Sequence, residues 1–252
     1  MKSTGEISAA LAERLRALAR RYETPAFLEG DPSSFMHKAR CDVDRETVAF
    51  VASALSFGAR KQFMAKIASL EQFAGGGFAR WVGDGLFERE FAPGDGRCFY
   101  RFHSRGAMHS FFSRLRALMQ EYGSLGAYVK SRAADGRGAV EAICAAFAGA
   151  GGLVPKDASS ACKRVCMFLR WMARAGSPVD IGIWSGFLDK ATLAMPLDVH
   201  VMRQSRALGL LGNEGPSMKT ALALSRSLSR VFPGDPLRGD YALFGLGVSG
   251  RP

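Results

Sequence analysis

The sequence predicts an all-α protein. Apolar residues recur at the three- and four-residue spacing of helices through most of the 252 residues, and only 98–102 alternates like a short strand. Hydrophobic residues make up 48% of the chain, which is enough to bury a core as one domain or as two closely packed lobes. A globular, mostly helical fold is therefore expected along the whole chain.

The N-terminal segment has the pattern of a helix and not of a signal peptide. Ser3 and Glu6 form a capping-box pattern. The apolar residues that follow at helical spacing are Leu11, Leu15, Leu18 and Tyr22. Since no apolar run in the sequence is long enough to span a bilayer, we expect a cytoplasmic protein that does not contact a membrane.

The next helix is predicted to start from an N-cap at Asp44 and to end at Gly58. Its apolar residues lie nearly all round the helix, which is typical of a central, buried helix. Further helices are predicted at 104–122, 138–148, 178–188, 217–231 and 239–246. The run Gly75-Gly76-Gly77 lacks the flanking strand and the Lys-Ser/Thr of a phosphate-binding loop, so it is predicted to be a plain connection.

Charge and cysteine content narrow the classes of function. Lys and Arg outnumber Asp and Glu by 34 to 23, a net charge of +11, which favours a phosphate-rich partner. The alternative is an ordinary basic protein from an Arg-rich organism. The five cysteines and four histidines have no metal-site spacing, so reduced core thiols are expected and a metal site is not.

Two segments stand out as candidates for chemistry. In the helix predicted from Lys163, one side is apolar, while Arg170 and Arg174 are expected on an exposed basic side next to Trp171. Downstream, Asp198 precedes a helix with a basic face. A single acid among bases is a candidate for chemistry on a polyanion.

These segments resemble the helix-hairpin-helix superfamily of DNA glycosylases. The resemblance covers Lys163-Arg164-x-x-Met167-Phe168-Leu169-Arg170-Trp171-Met172, Pro196-Leu197-Asp198-x-His200-x-x-Arg203 and Leu208-Gly209-Leu210. The nearer likeness is to a bacterial family that shares the Met-Phe-Leu-Arg-Trp-Met and Pro-Leu-Asp segments and resembles the archaeal 8-oxoguanine DNA glycosylases. The long separation of Lys163 from Asp198, with an extra helix expected at 183–188, also suits the archaeal type.

The resemblance implies one glycosylase-like unit over 1–252 with two helical lobes. Lobe A is expected at about 44–174, ending in the hairpin helix, and lobe B at about 1–43 plus 175–252. Lys163 is implied as the amine nucleophile that forms a Schiff base with the sugar, assisted by the Asp198 carboxylate. The implied partner is double-stranded DNA, bound by a monomeric, nucleoid-associated protein without a cofactor.

The same resemblance implies a base pocket and a DNA-binding surface. The pocket would contain Met167, Asp240 and Phe244, with Ser56 and Phe57 as a wall. The implied DNA-binding residues are Ser159, Ala161, Arg164, Arg170, Arg174, His200 and Arg203. The superfamily has Leu-Pro-Gly-x-Gly before its lysine, whereas this chain has Ser159 and Ala161 in place of the glycines that allow phosphate to approach the backbone.

The main candidate residues also have interpretations in which they serve only the fold. Asp198 has the pattern of an N-cap, and a lysine at a helix start is usually a solvated charge. Met167 and Phe244 suit a core, and Asp240 suits a helix cap. The alternative function is a non-catalytic module that recognises damaged or structured DNA, and the basic surface leaves RNA open as a third partner.

Overall fold

The computed structural model describes residues 7–249, and they are mostly helical, as predicted. The α-helices are α1 (Ala9–Tyr22), α2 (Ser34–Lys38), α3 (Asp42–Leu55), α4 (Arg60–Ala74), α5 (Phe78–Gly83), α6 (Arg105–Tyr122), α7 (Leu125–Arg132), α8 (Gly136–Ala146), α9 (Lys163–Ala173), α10 (Val199–Ala207), α11 (Met218–Ser229) and α12 (Arg238–Ser249). Strands β1 (Cys98–Tyr100) and β2 (His103–Ser104) pair antiparallel, so the strand predicted at 98–102 forms half of a hairpin. No helix in the described part of the chain is long and apolar enough to cross a membrane.

The chain divides into two compact units. Unit 1 contains residues up to Phe27, Asp135–Arg137 and residues from Ala158 onward. In it, α1 packs along α12, and α12 also packs against α10. Gly245 permits the close approach of α1, because a Cβ there would overlap the Tyr22 ring. Unit 1 is therefore built from both ends of the chain.

Unit 2 contains Leu28–Ala134 and Gly138–Asp157. Helix α3 is buried along most of its length and contacts α2, α4, α5 and α7, which confirms the prediction of a central helix. Phe50 on α3 packs against Phe111 and Phe147, with ring centroids 5.5 and 4.9 Å apart. The Glu46 carboxylate, also buried, accepts the Gly126 N–H at the start of α7. Unit 2 thus has an aromatic core around one helix.

Several predicted helix starts are confirmed and one is wrong. Ser104 and Ser217 are N-caps of α6 and α11, where each hydroxyl accepts a backbone N–H three residues on. Ser3 and Glu6 lie outside the described residues, and Ser8 caps α1. Asp44, however, lies inside the first turn of α3, because its carboxylate accepts the Ala79 N–H at 2.7 Å instead of capping its own helix.

The helix predicted at 178–188, including the extra helix at 183–188, does not form. The segment is a series of turns in which the N–H groups of Ile181 and Gly182 donate to the Trp171 carbonyl. The Trp184 N–H donates to the Met172 carbonyl at 2.7 Å. Since these carbonyls lie in the last turn of α9, the segment satisfies the C-terminus of that helix and cannot form a ladder of its own.

The units differ from the predicted lobes in where they divide. Unit 2 begins at Leu28, before the predicted start at 44, and it ends at Asp157, before α9. Helix α9 belongs to unit 1 because its arginines are buried against acids from both terminal parts of the chain, as described below. The prediction that lobe A ends in the hairpin helix at 174 is corrected accordingly.

Candidate active site

Lys163 and Asp198 lie side by side in unit 1. Lys163 is the first residue of α9, and its Nζ is 3.6 Å from Oδ2 of Asp198. Asp198 is the N-cap of α10, with Oδ1 accepting the Val201 N–H at 2.8 Å. One carboxylate oxygen is therefore held by the helix backbone, and the other faces the amine.

The two side chains differ in their exposure. The Lys163 side chain is 35% exposed, whereas that of Asp198 is 11% exposed. A partly exposed amine can be reached by a large substrate. A sheltered carboxylate is less screened by water, so its charge acts more strongly on a nearby cation.

The charges of Lys163 and Asp198 both change the pKa of a second carboxyl group, that of Asp240. Burial raises the pKa of Asp240 to about 6, the ion pair with Arg170 opposes that rise, and the negative charge of Asp198 adds to it. The Lys163 charge acts in the opposite direction to Asp198. The Asp240 side chain is only 6% exposed and holds the Arg170 guanidinium, so it does not present an open edge to a base as predicted.

The segment before Lys163 differs from the expected hairpin. Helix α8 ends at Ala146, and residues 147–162 form turns and irregular structure before α9 starts. Cys162 takes a left-handed conformation (φ +44°) that turns the chain into α9. Ser159 is exposed, but Ala161 is buried and its carbonyl accepts the Cys166 thiol, so the Ala161 side chain does not face solvent as a DNA contact would.

Arg170 and Arg174 are buried, which corrects the prediction that they form an exposed basic face. Arg170 pairs with Asp180 and Asp240. Arg174 pairs with Asp180, with Asp235 at 2.7 Å and with Glu23 at 2.7 Å, and its side chain is 2% exposed. Because these two guanidinium groups are buried and hold carboxylates inside the unit, they do not face solvent where a phosphate could bind them.

Tyr241 completes this buried ion network, which consists of Arg170, Arg174, Glu23, Asp180, Asp235, Asp240 and Tyr241. The Tyr241 hydroxyl donates to Asp180 at 2.8 Å, and Arg170 lies over the Tyr241 ring at 4.4 Å from its centroid. Burial lowers the pKa of both guanidinium groups, but the carboxylates more than offset that effect and raise it above its usual range. Both arginines therefore remain charged and fix α9 within unit 1.

The other predicted DNA-binding residues differ from one another in their contacts and exposure. His200 has Nδ1 3.1 Å from the Gly247 carbonyl oxygen, and the Arg203 guanidinium donates to the same oxygen at 2.9 Å. These two residues satisfy the end of α12, although Arg203 is also exposed. Arg164 is half-buried, and burial lowers the pKa of its guanidinium.

The predicted base-pocket residues fall in both units. Met167 and Phe244 are half-buried in unit 1, with the Phe244 ring 6.0 Å from Phe27 and 5.8 Å from His200. Ser56 and Phe57 belong to unit 2. Ser56 is buried and its hydroxyl donates to the Ala52 carbonyl. That bond uses the Ser56 hydroxyl donor at the C-terminal end of α3.

Sequence reasoning identified Asp240 but missed the other three acids of the buried ion network. Glu23, Asp180 and Asp235 are far apart in sequence, and each follows a different element. The only local signal is that two arginines share the predominantly apolar helix α9. Three of the five cysteines are buried as predicted, but Cys41 and Cys98 are exposed.

The described residues contain no group of three or more His, Cys, Asp or Glu placed to hold a metal ion. Comparison with curated proteins and with solved structures gave no match. The family model described as "Protein of unknown function (DUF2400)" matches residues 31–249, which include both Lys163 and Asp198. The chain therefore belongs to the DUF2400 family.

Proposed function

We propose that the protein is a DNA glycosylase with lyase activity that excises an oxidised purine, 8-oxoguanine in particular. The observation that carries the proposal is the pairing of Lys163 with Asp198 at 3.6 Å. The motif likeness singles out these two residues, which are 35 positions apart in sequence. Their proximity supplies the two groups that such a reaction needs.

Lys163 is proposed as the nucleophile. Its neutral amine forms a bond to C1′ of the sugar as the bond from C1′ to the base nitrogen breaks, and the departing base takes that electron pair and is then protonated. Loss of the nitrogen proton and opening of the bond from C1′ to the ring oxygen give an imine. Removal of a C2′ proton then expels the 3′ phosphate, which cleaves the strand.

Asp198 is proposed to stabilise the positive charge that develops on the sugar as the base departs. Because the Val201 N–H holds one carboxylate oxygen, the other is fixed in position before substrate arrives. A carboxylate that does not have to reorient acts on the transition state without a further entropic cost.

Met167 and Phe244 are proposed to hold the extrahelical base. Met167 lies one helical turn after Lys163 on the same face of α9, and Phe244 is half-buried on α12. Their partial exposure leaves apolar surface for stacking. Asp240 is assigned a different role, that of pairing with Arg170 in the buried ion network.

Trapping with borohydride tests the proposal. Duplexes that carry single lesions, 8-oxoguanine among them, are incubated with the protein and borohydride, which reduces an imine to a stable covalent complex. We expect a trapped complex with the wild-type protein and none with Lys163→Gln. The matched control is Lys219→Gln, since Lys219 is an exposed lysine in the first turn of α11 and its loss should leave trapping unchanged.

Two outcomes would contradict the proposal. If the wild-type protein gives neither a trapped complex nor base release on any lesion, it is not a glycosylase. Binding to those duplexes without turnover would then identify a non-catalytic DNA-binding module. If Lys163→Gln still traps, a different amine is the nucleophile.

A further inference from the structure

The tip of the β1–β2 hairpin in unit 2 exposes an aromatic ring. Phe102 is 77% exposed, against 39% for Phe73, the other exposed phenylalanine of the described residues. A single exposed apolar ring is ordinary on a protein surface, so the features that distinguish Phe102 are the rings that support it and the charges beside it.

The ring is supported from one side by other aromatic residues. Phe102 lies 4.6 Å from His103 and 5.4 Å from Phe57, measured between ring centroids. Phe57 in turn packs against Tyr100 at 4.9 Å, and the Tyr100 hydroxyl donates to the Phe57 carbonyl. Because these contacts fix the ring, little side-chain entropy is lost when a planar partner stacks on it.

The hairpin tip is also held in a constrained conformation. Arg101 has φ +53°, in the left-handed region that non-glycine residues rarely adopt. Its carbonyl accepts the Cys98 thiol at 3.0 Å. Its guanidinium lies close to Gly58, where an added Cβ would be 2.8 Å from Nη1. Such strain persists only where the surroundings enforce it, and it often marks a functional position.

The surface beside the ring is positively charged. A concavity next to the hairpin is lined by Gln62, Ala65, Lys66, Phe99, Tyr100, Arg101 and Phe102. Residues 47–70 and 96–120 contain no Asp or Glu. Among the described residues, neither Lys66 nor Arg101 pairs with a carboxylate. An exposed aromatic ring and cations that line the same concavity are the groups that bind a nucleic-acid strand, in which bases alternate with phosphates.

We infer that the hairpin tip is a second nucleic-acid site, at which Phe102 stacks on an unpaired base of DNA while Arg101 and Lys66 bind the adjacent phosphates. The inference rests on the proposed function only in taking DNA as the partner, since stacking here needs neither Lys163 nor a lesion. It assigns to unit 2 the recognition of DNA whose bases are unpaired.

Binding by fluorescence anisotropy tests the inference on three probes, which are a closed duplex, the same duplex with a central unpaired bubble, and oligo(dT). We expect the wild-type protein to prefer the bubble and oligo(dT). Phe102→Ala should weaken binding to both by about tenfold and leave the closed duplex nearly unchanged, since one base stack is lost. Phe73→Ala is the matched control, because it removes another exposed ring from the same unit.

Two more variants make the test specific. Phe102→Trp should retain the preference, and its fluorescence should fall when oligo(dT) binds, because the native Trp81, Trp171 and Trp184 are all buried. Arg101→Gly suits the left-handed backbone and removes the side chain with its cation, so it should lower the salt dependence of binding to every probe by about one released counterion.

Three results would overturn the inference. In the first, Phe102→Ala binds the bubble as the wild type does. In the second, Phe102→Trp fluorescence does not change at saturating oligo(dT). In the third, binding that depends on Phe102 occurs to vesicles of anionic phospholipid and not to DNA, which would identify a membrane surface. Failure of the glycosylase proposal gives a different result. In that case no complex is trapped by borohydride, but the hairpin variants still alter DNA binding.

Discussion

Replacing Asp198 separates its part in folding from its proposed part in chemistry. The carboxylate has two oxygens with different neighbours, the Val201 N–H at 2.8 Å and the Lys163 amine at 3.6 Å. Asparagine can still accept the N–H but carries no charge, whereas alanine loses both interactions. The pair Asp198→Asn and Asp198→Ala therefore distinguishes the cap from the charge.

The magnitudes follow from these contacts. Asp198→Ala should lower the free energy of unfolding by about 1 kcal/mol more than Asp198→Asn does, because asparagine keeps the N-cap while both variants lose the screened pair with Lys163. Two unit charges 3.6 Å apart interact by about 4 to 5 kcal/mol at an effective dielectric of about 20. Because Lys163 is one-third exposed, solvent screening reduces that value. A sugar cation near the same carboxylate should gain about 3 kcal/mol, so both variants should release base about 100-fold more slowly.

The assay is single-turnover release of 8-oxoguanine from a duplex, followed by alkaline cleavage of the abasic product. Urea unfolding followed by circular dichroism gives the free energy of unfolding for the same preparations. The reasoning is refuted if Asp198→Asn releases base at the wild-type rate. It is also refuted if the rate falls only in Asp198→Ala, in parallel with stability, because Asp198 would then act solely as a helix cap.

Two further predictions concern the buried ion network. Arg174→Met should lower the free energy of unfolding by about 3 to 5 kcal/mol in urea titrations, because it leaves buried acids without their cation, while the exposed Arg203→Met should cost under about 1 kcal/mol. Equal losses would contradict the buried role of Arg174. Because burial raises the pKa of Asp240 from 3.8 to about 6, the folded state holds the extra proton, and stability should fall by up to about 3 kcal/mol as pH rises from about 4 to about 6. Asp240→Asn should remove that fall in urea titrations across this range, and an unchanged pH slope would show that Asp240 is not its source.

The helical class and the Lys163–Asp198 pair could be predicted because both depend on local signals. Helical spacing identified α3, α6 and α11, and a Pro-Leu-Asp segment before an amphipathic run identified the cap at Asp198. A likeness of two short segments was sufficient to connect Lys163 with Asp198 across the intervening turns. Such signals lie close in sequence to the positions they describe.

The errors come from interactions that are distant in sequence. On a helical projection, Arg170 and Arg174 lie opposite the apolar stripe and look exposed. Their partners, however, come from the residue after α1, from the turns after α9, from the segment before α12 and from the first turn of α12. Asp44 has the sequence pattern of an N-cap, but its carboxylate accepts the N–H of Ala79, which is distant in sequence. The turns at 178–188 carry a helical pattern, but the carbonyls at the end of α9 take their N–H groups.

The pairing of α1 with α12 has a consequence for how the chain folds during synthesis. Unit 2 is nearly continuous in sequence, so its contacts can form while the ribosome is still adding residues. Unit 1 needs its first helix to meet its last one, which gives those contacts a very long sequence separation. Glu23 must therefore wait until Arg174 has been added, and Arg170 must wait until Asp240 at the start of α12 has been added. We expect nascent chains without α12 to hold a folded unit 2 and to lack the assembled amine and carboxylate site.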